Sequence, residues 1–213
     1  RFGSYSGFDG SYLVYTPIDP GVWIDINAKV YNIDYNYYSE GNLREVYDFL
    51  HQSTALSLNT FYSNWVLLSF GMRKEFYYID GEIVDPASRN RYEFDIFSFY
   101  AMMQIDTLDD YTFPRKGFFL RAQADYVTND FSYHKSFNGA EKFERNMVVS
   151  RIAIPLGRWF AFQTGFSTST VSEDVTPPSY WFVMGGYQRY EDWIYPLEGY
   201  DLMERTGKHG WVY

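Results

Sequence analysis

A serine hydrolase of the elbow type places its nucleophile in Gly-x-Ser-x-Gly, where a strained strand-to-helix turn exposes the hydroxyl. The nearest approach in this chain is Gly3-Ser4-Tyr5-Ser6-Gly7, but its middle residue is Tyr5 and no helical pattern follows. Asp9-Gly10 and Asp80-Gly81 could supply the acid of such a site. Without a serine they read as turns. The three histidines, His51, His134 and His209, are far apart and fall in expected loops. A zinc site needs clustered ligands, for example two histidines one helical turn apart. The paired acids Asp109-Asp110 and Glu191-Asp192 suit turn geometry and solvation, and neither has the ligand spacing of a strong calcium loop. The residues themselves therefore predict no catalytic, metal or cofactor site.

What remains is a set of charges spaced at every second position: Lys29, Arg73, Glu75, Arg121, Asp125 and Arg151. Alternation of that kind needs β-strands with one wet or ion-paired face. The composition fits such strands. Of 213 residues, 22 are Tyr, 19 Phe and 6 Trp, types that favour strands and membrane–water interfaces. Cys is absent, which excludes disulfides and thiolate metal sites. A net charge of −9 with scattered cations argues against nucleic acid as a partner. The longest aliphatic and aromatic run is only Trp65 to Leu68, so no transmembrane helix is encoded. Two classes combine these properties, a soluble β-domain and an outer-membrane β-barrel.

The chain order favours the barrel. Strands are expected at 11–16, from Val22 past Val30, at 54–61, 66–75, 91–105 and 118–126, around 148–154, at 160–167, 182–184 and 200–204, and from Trp211. In the second, Val22, Ile24, Ile26, Ala28 and Val30 share a face opposite Asp25, Asn27 and Lys29. In the fourth, Val66, Leu68, Phe70 and Met72 oppose Ser69, Gly71, Arg73 and Glu75. Residues 39–53 read as a loop with one helical turn from Leu43 to Leu50. A parity change after Ile96 suggests a β-bulge near Phe97. Arg205 to Gly210 reads as a turn. Short turns at 17–21, 62–64 and 155–157 alternate with longer loops at 38–53, 80–90, 129–142 and 171–179, the two-rim asymmetry of outer-membrane barrels. The connection at 106–117 is long for the short rim.

Two segments resemble a known family. DTLDDYTFPRKGFFLRAQADY at 106–126 is similar to the turn–strand signature of the bacterial surface antigen superfamily, with Asp106, Asp109, Pro114 and Gly117 as its markers. FVMGGYQRYEDWIYPLEGY at 182–200 resembles the later signature: an apolar strand ending in Gly185-Gly186, a long loop, then Gly199-Tyr200. Members include the barrel-assembly insertase and two-partner secretion transporters. In these the loop ends in an aliphatic residue, Arg, Gly and an aromatic, the Arg packing on the inner wall. This chain has Glu198 in that place, and its Pro196 to Asp201 stretch looks closer to barrels that follow bacterial patatin-like phospholipases.

The resemblance implies an all-β, transmembrane antiparallel β-barrel in the bacterial outer membrane. Residues 1–213 would be a single barrel domain with about ten strands of the family's usual sixteen, a fragment lacking strands at both ends. Its inward-folding loop would be held by Arg121 or Arg151 through Glu191, Asp192 or Glu198. Outer-membrane lipid and further copies of the chain are the expected partners. The expected role is the membrane anchor of a phospholipase whose catalytic domain lies upstream of Arg1. A polypeptide transporter or insertase barrel, and a soluble β-barrel holding a small apolar ligand, are the alternatives.

Overall fold

The computed structural model describes residues 5–18, 21–39, 42–82, 91–110, 113–128, 142–172, 180, 182–184, 194–195, 205–207 and 210–212. Eight long strands run up and down in chain order: β1 (Tyr5–Tyr15), β2 (Val22–Ser39), β3 (Asn42–Ser63), β4 (Val66–Glu82), β5 (Arg91–Asp106), β6 (Gly117–Thr128), β7 (Lys142–Pro155) and β8 (Ala161–Val171). Each pairs antiparallel with the next. Three short strands, β9 (Phe182–Met184), β10 (Ile194–Tyr195) and β11 (Arg205–Gly207), form a separate sheet in the order β10-β9-β11. The large sheet resumes with β12 (Gly210–Val212), which pairs with β8. No α-helix occurs among the described residues.

Period two divides every long strand into two faces. Ile26, Val30, Leu56, Leu58, Phe70, Met72, Phe99, Met103, Ile152, Ile154, Phe162 and Phe166 all stand exposed on one side. The other side carries His51, Ser53, Ser57, Asn59, Ser69, Glu75, Asp125, Arg145, Ser167 and Ser169, all buried. An exposed apolar face over an interior that mixes these polar groups with Tyr31, Phe49, Tyr77, Ile96, Val127 and Phe143 is the arrangement of a barrel wall in lipid rather than of a water-soluble sheet. On β5 the outward apolar run from Phe97 to Ile105 covers about 27 Å of strand, or ~20 Å at a tilt of roughly 40°, close to the ~25 Å apolar band of such barrels. Above this run Lys74 donates to Asp95 across β4 and β5, also on the outward parity, where the apolar band gives way to charge. At the short-turn end Tyr62, Trp65, Phe113, Trp159 and Phe160 are exposed, an aromatic girdle.

Several expectations are corrected. Residues 42–53 are not a loop with a helical turn; they form the first half of β3, paired to β2 on one side and, from Val46, to β4 on the other. Two flanking ladders outweigh the weak helical preference of LREVYDFL. No bulge occurs at Phe97, since β4 and β5 stay in continuous register from Arg91 to Ile105. The apparent slip arises because Asp95 lies on the outward parity beside Lys74 while Ile96 is buried on the inward one. The irregularities fall instead at Tyr37/Tyr38 and Phe61/Ser63. β1 starts at Tyr5 rather than Ser11, and Arg205–Gly207 is a strand paired to β9 rather than a turn.

Candidate functional site

The inward face of β3 to β7 converges on two buried carboxylates. Glu75 Oε1 accepts from Tyr77 Oη at 2.8 Å and lies 3.0 Å from His51 Nε2. Glu75 Oε2 accepts from Tyr180 Oη and lies 3.4 Å from Arg73 Nε, which attracts it without making a hydrogen bond. Arg73 turns its Nη2 to Asp125 Oδ1 at 2.8 Å. Arg145 grips Asp125 Oδ2 through Nε at 2.9 Å and Nη2 at 2.7 Å, and Gln123 Nε2 donates to Oδ1 at 2.9 Å. Two guanidiniums balance two carboxylates. Charges this deeply placed persist only when paired and hydrogen-bonded.

Rings close the gaps around this network. His51 stacks on Tyr77 at 4.5 Å, with Tyr31 edge-on at 4.8 Å. Tyr180 lies against the Arg145 guanidinium at 4.7 Å and meets Phe143 in a T at 5.1 Å. Tyr100 lies beneath Arg73, and its ring covers Gly71, where a Cβ would sit 2.6 Å from it. Below this layer is a cavity of about 410 Å³. Its lining descends from Tyr31, His51 and Tyr180 through Ser53 and Ser57 to Asn59, Leu67 and Trp23 near the short turns.

The chemistry available is binding and bracing. His51 with Glu75 looks like the base and orienting acid of a hydrolytic site, but Nδ1, the atom that would take a proton from a nucleophile, has no hydrogen-bond partner. Among the described residues no group of three or more His, Asp or Glu side chains could hold a metal. An interior lined by Arg, Glu, Asp and Asn does not suit a small apolar ligand, which sets aside the soluble-barrel alternative.

The predicted turn markers have clear physical roles. Asp106 Oδ1 accepts from the Leu108 amide at 3.0 Å. Asp109 Oδ1 accepts from the amides of Arg115 at 2.9 Å and Lys116 at 3.0 Å, and these bonds hold its carboxyl below the usual range. Pro114 is fully buried, and its carbonyl accepts from Gln163 at 2.6 Å. Gly117 has φ of +116°, and a Cβ there would lie 2.2 Å from the Thr107 carbonyl oxygen. The Arg115 side chain also reaches the Arg158 carbonyl, pinning this turn to the one between β7 and β8. The long connection on the short rim is thus a built structure.

Of the expected loop holders, Arg121 donates to Gln104 at 3.3 Å and Arg151 to Gln163 at 2.8 Å. Gly185, Gly186, Glu191, Asp192, Pro196, Glu198, Gly199 and Tyr200 lie outside the described residues, as do His134 and His209. His51 was expected in a loop and lies in β3 with a ring of partners. Arg145 and Tyr180 went unnoticed in the sequence. The signal for Arg145 was its odd parity with Met147, Val149 and Arg151; nothing local marks Tyr180.

No curated protein sequence matches this chain. The sequence model of the OMP85 superfamily matches residues 24–210. With a wall that is apolar outward and ion-paired inward, and with that match over nearly its whole length, the chain belongs to the OMP85 superfamily of outer-membrane β-barrels.

Proposed function

We propose that this barrel is the membrane anchor of a patatin-like phospholipase in a bacterial outer membrane, with the hydrolase preceding Arg1. The observation that carries the reading is Leu197-Glu198-Gly199-Tyr200, where Glu198 takes the place of the transporters' loop arginine. A second feature is consistent with it. The Glu75 and Asp125 networks tie β3, β4, β6 and β7 together under Tyr180, which suits a wall that stays closed better than one that parts for a polypeptide. In this role the described residues are non-catalytic and use no cofactor.

The test is phospholipid hydrolysis by the full-length protein extracted in detergent. Fatty-acid release that disappears when the serine of an upstream Gly-x-Ser-x-Gly is replaced by alanine supports the anchor. Upstream polypeptide-transport repeats, with no hydrolysis, would sink it in favour of the transporter or insertase.

A further inference from the structure

Tyr180 does something that the wall alone cannot. It follows β8, yet its side chain is 1% exposed and reaches back to β4 and β7. Its hydroxyl donates to Glu75 Oε2, its ring lies against Arg145, and Phe143 packs edge-on to it. The layer it completes is sealed: Tyr77, Ser98, Asp125 and Val127 are each no more than 2% exposed. The cavity ends at this layer, with Tyr180, Glu75, Arg73 and Arg145 forming part of its lining. Ser53, Ser57, Asn59 and Ser69 continue the polar interior below.

We propose that Tyr180 is a latch that closes the lumen above this cavity. The contacts divide the work. The ring fills the space between Arg145 and Phe143, and the hydroxyl bond to Glu75 fixes the ring in place. A phenol held by one hydrogen bond and one cation–π contact is a reversible fastening, because each is a modest interaction that water can replace. When it releases, Glu75 and Arg145 lose the ring that covers them, and the space between Arg145 and Phe143 opens above the cavity. Tyr180 is therefore a positioning residue for closure and stands apart from whatever the anchored domain does.

The absence of cysteine makes this directly testable. A single Ser57→Cys, inside the cavity, would be labelled on the full-length protein in outer-membrane vesicles with a bulky membrane-impermeant maleimide. Tyr180→Phe keeps the ring and removes only the donor to Glu75. Labelling should accelerate by about tenfold to a hundredfold in Tyr180→Phe, as expected for losing one hydrogen bond to a charged acceptor. Glu75→Gln, which retains an acceptor oxygen, should accelerate it less. Heat-modifiable migration on gels reports an intact barrel in each variant. Equal labelling in Tyr180→Phe and the parent, with the barrel intact, would overturn the latch and leave Tyr180 as interior packing. Should Tyr180→Phe fail to fold, the same comparison is read from Glu75→Gln, with the same two outcomes.

Discussion

Replacing Asp125 by alanine removes the acceptor shared by two guanidiniums. The carboxylate side chain is 0% exposed and receives bonds from Arg73 at 2.8 Å and from Arg145 at 2.7 and 2.9 Å. Breaking a buried pair by deleting one partner costs ~3–5 kcal/mol, mostly because a charge is left stranded. Arg73 is 22% exposed on its side chain and can recruit lumen water, whereas Arg145 is 8% exposed and cannot easily do so. The loss should therefore fall near the lower end, ~3 kcal/mol. Asp125→Asn keeps one oxygen acceptor and should lose about 2 kcal/mol. Arg158→Ala, which removes an exposed cation–π contact to Trp159, should lose under ~1 kcal/mol. Urea unfolding in phospholipid vesicles, followed by tryptophan fluorescence, measures all three. A double change, Asp125→Ala with Arg145→Met, should recover part of the loss by removing the stranded charge. If Asp125→Ala cost no more than Arg158→Ala, the network would not be bracing the wall and the reasoning would fail.

Gly117→Ala and Gly157→Ala separate strain from collision. Both glycines have positive φ, +116° and +109°, but only Gly117 would drive a Cβ into backbone, at 2.2 Å from Thr107 O, while Gly157 faces open space. Gly157→Ala should cost about 1 kcal/mol and Gly117→Ala clearly more, measured by the same urea titration. Asp109 sets a pH dependence on the turn between β5 and β6. Its folded carboxyl is held below the unfolded value of 3.8, so its contribution is complete above about pH 4 and is lost as pH falls through the lower folded value. The protection factors of the Arg115 and Lys116 amides, which are exchange rates divided into the intrinsic rate at each pH, should fall below that point, and Asp109→Asn should show the lower protection with no pH step. Gly71→Val should push Tyr100 out of its place over the glycine and slow barrel assembly, visible as a larger fraction of unfolded, heat-unshifted protein on gels.

The sequence made the wall legible because period two survives any detail of closure. Val66 to Glu75 declared one apolar and one charged face, and the structure places them outward and inward accordingly. The Phe-Pro-x-x-Gly turn was also legible, since Pro114 and Gly117 are demanded by local burial and backbone sign. What escaped was non-local. Residues 42–53 were read by their local helical look, and only pairing on both sides makes them β3. The same two-sided pairing places His51 in a strand rather than a loop. Tyr180 meets Glu75 across 105 residues of sequence, and no periodicity carries that contact.

The central claim is that from Val66 to Arg73 the even-numbered positions of β4 meet lipid and the odd-numbered ones meet the lumen. Single cysteines from Val66 to Arg73, each carrying a nitroxide, test it in reconstituted bilayers. The account predicts that positions 66, 68, 70 and 72 are relaxed by oxygen, which partitions into lipid, and that 67, 69, 71 and 73 are relaxed by a water-soluble nickel chelate. Uniform exposure to the chelate along the strand, or the opposite parity, would contradict it.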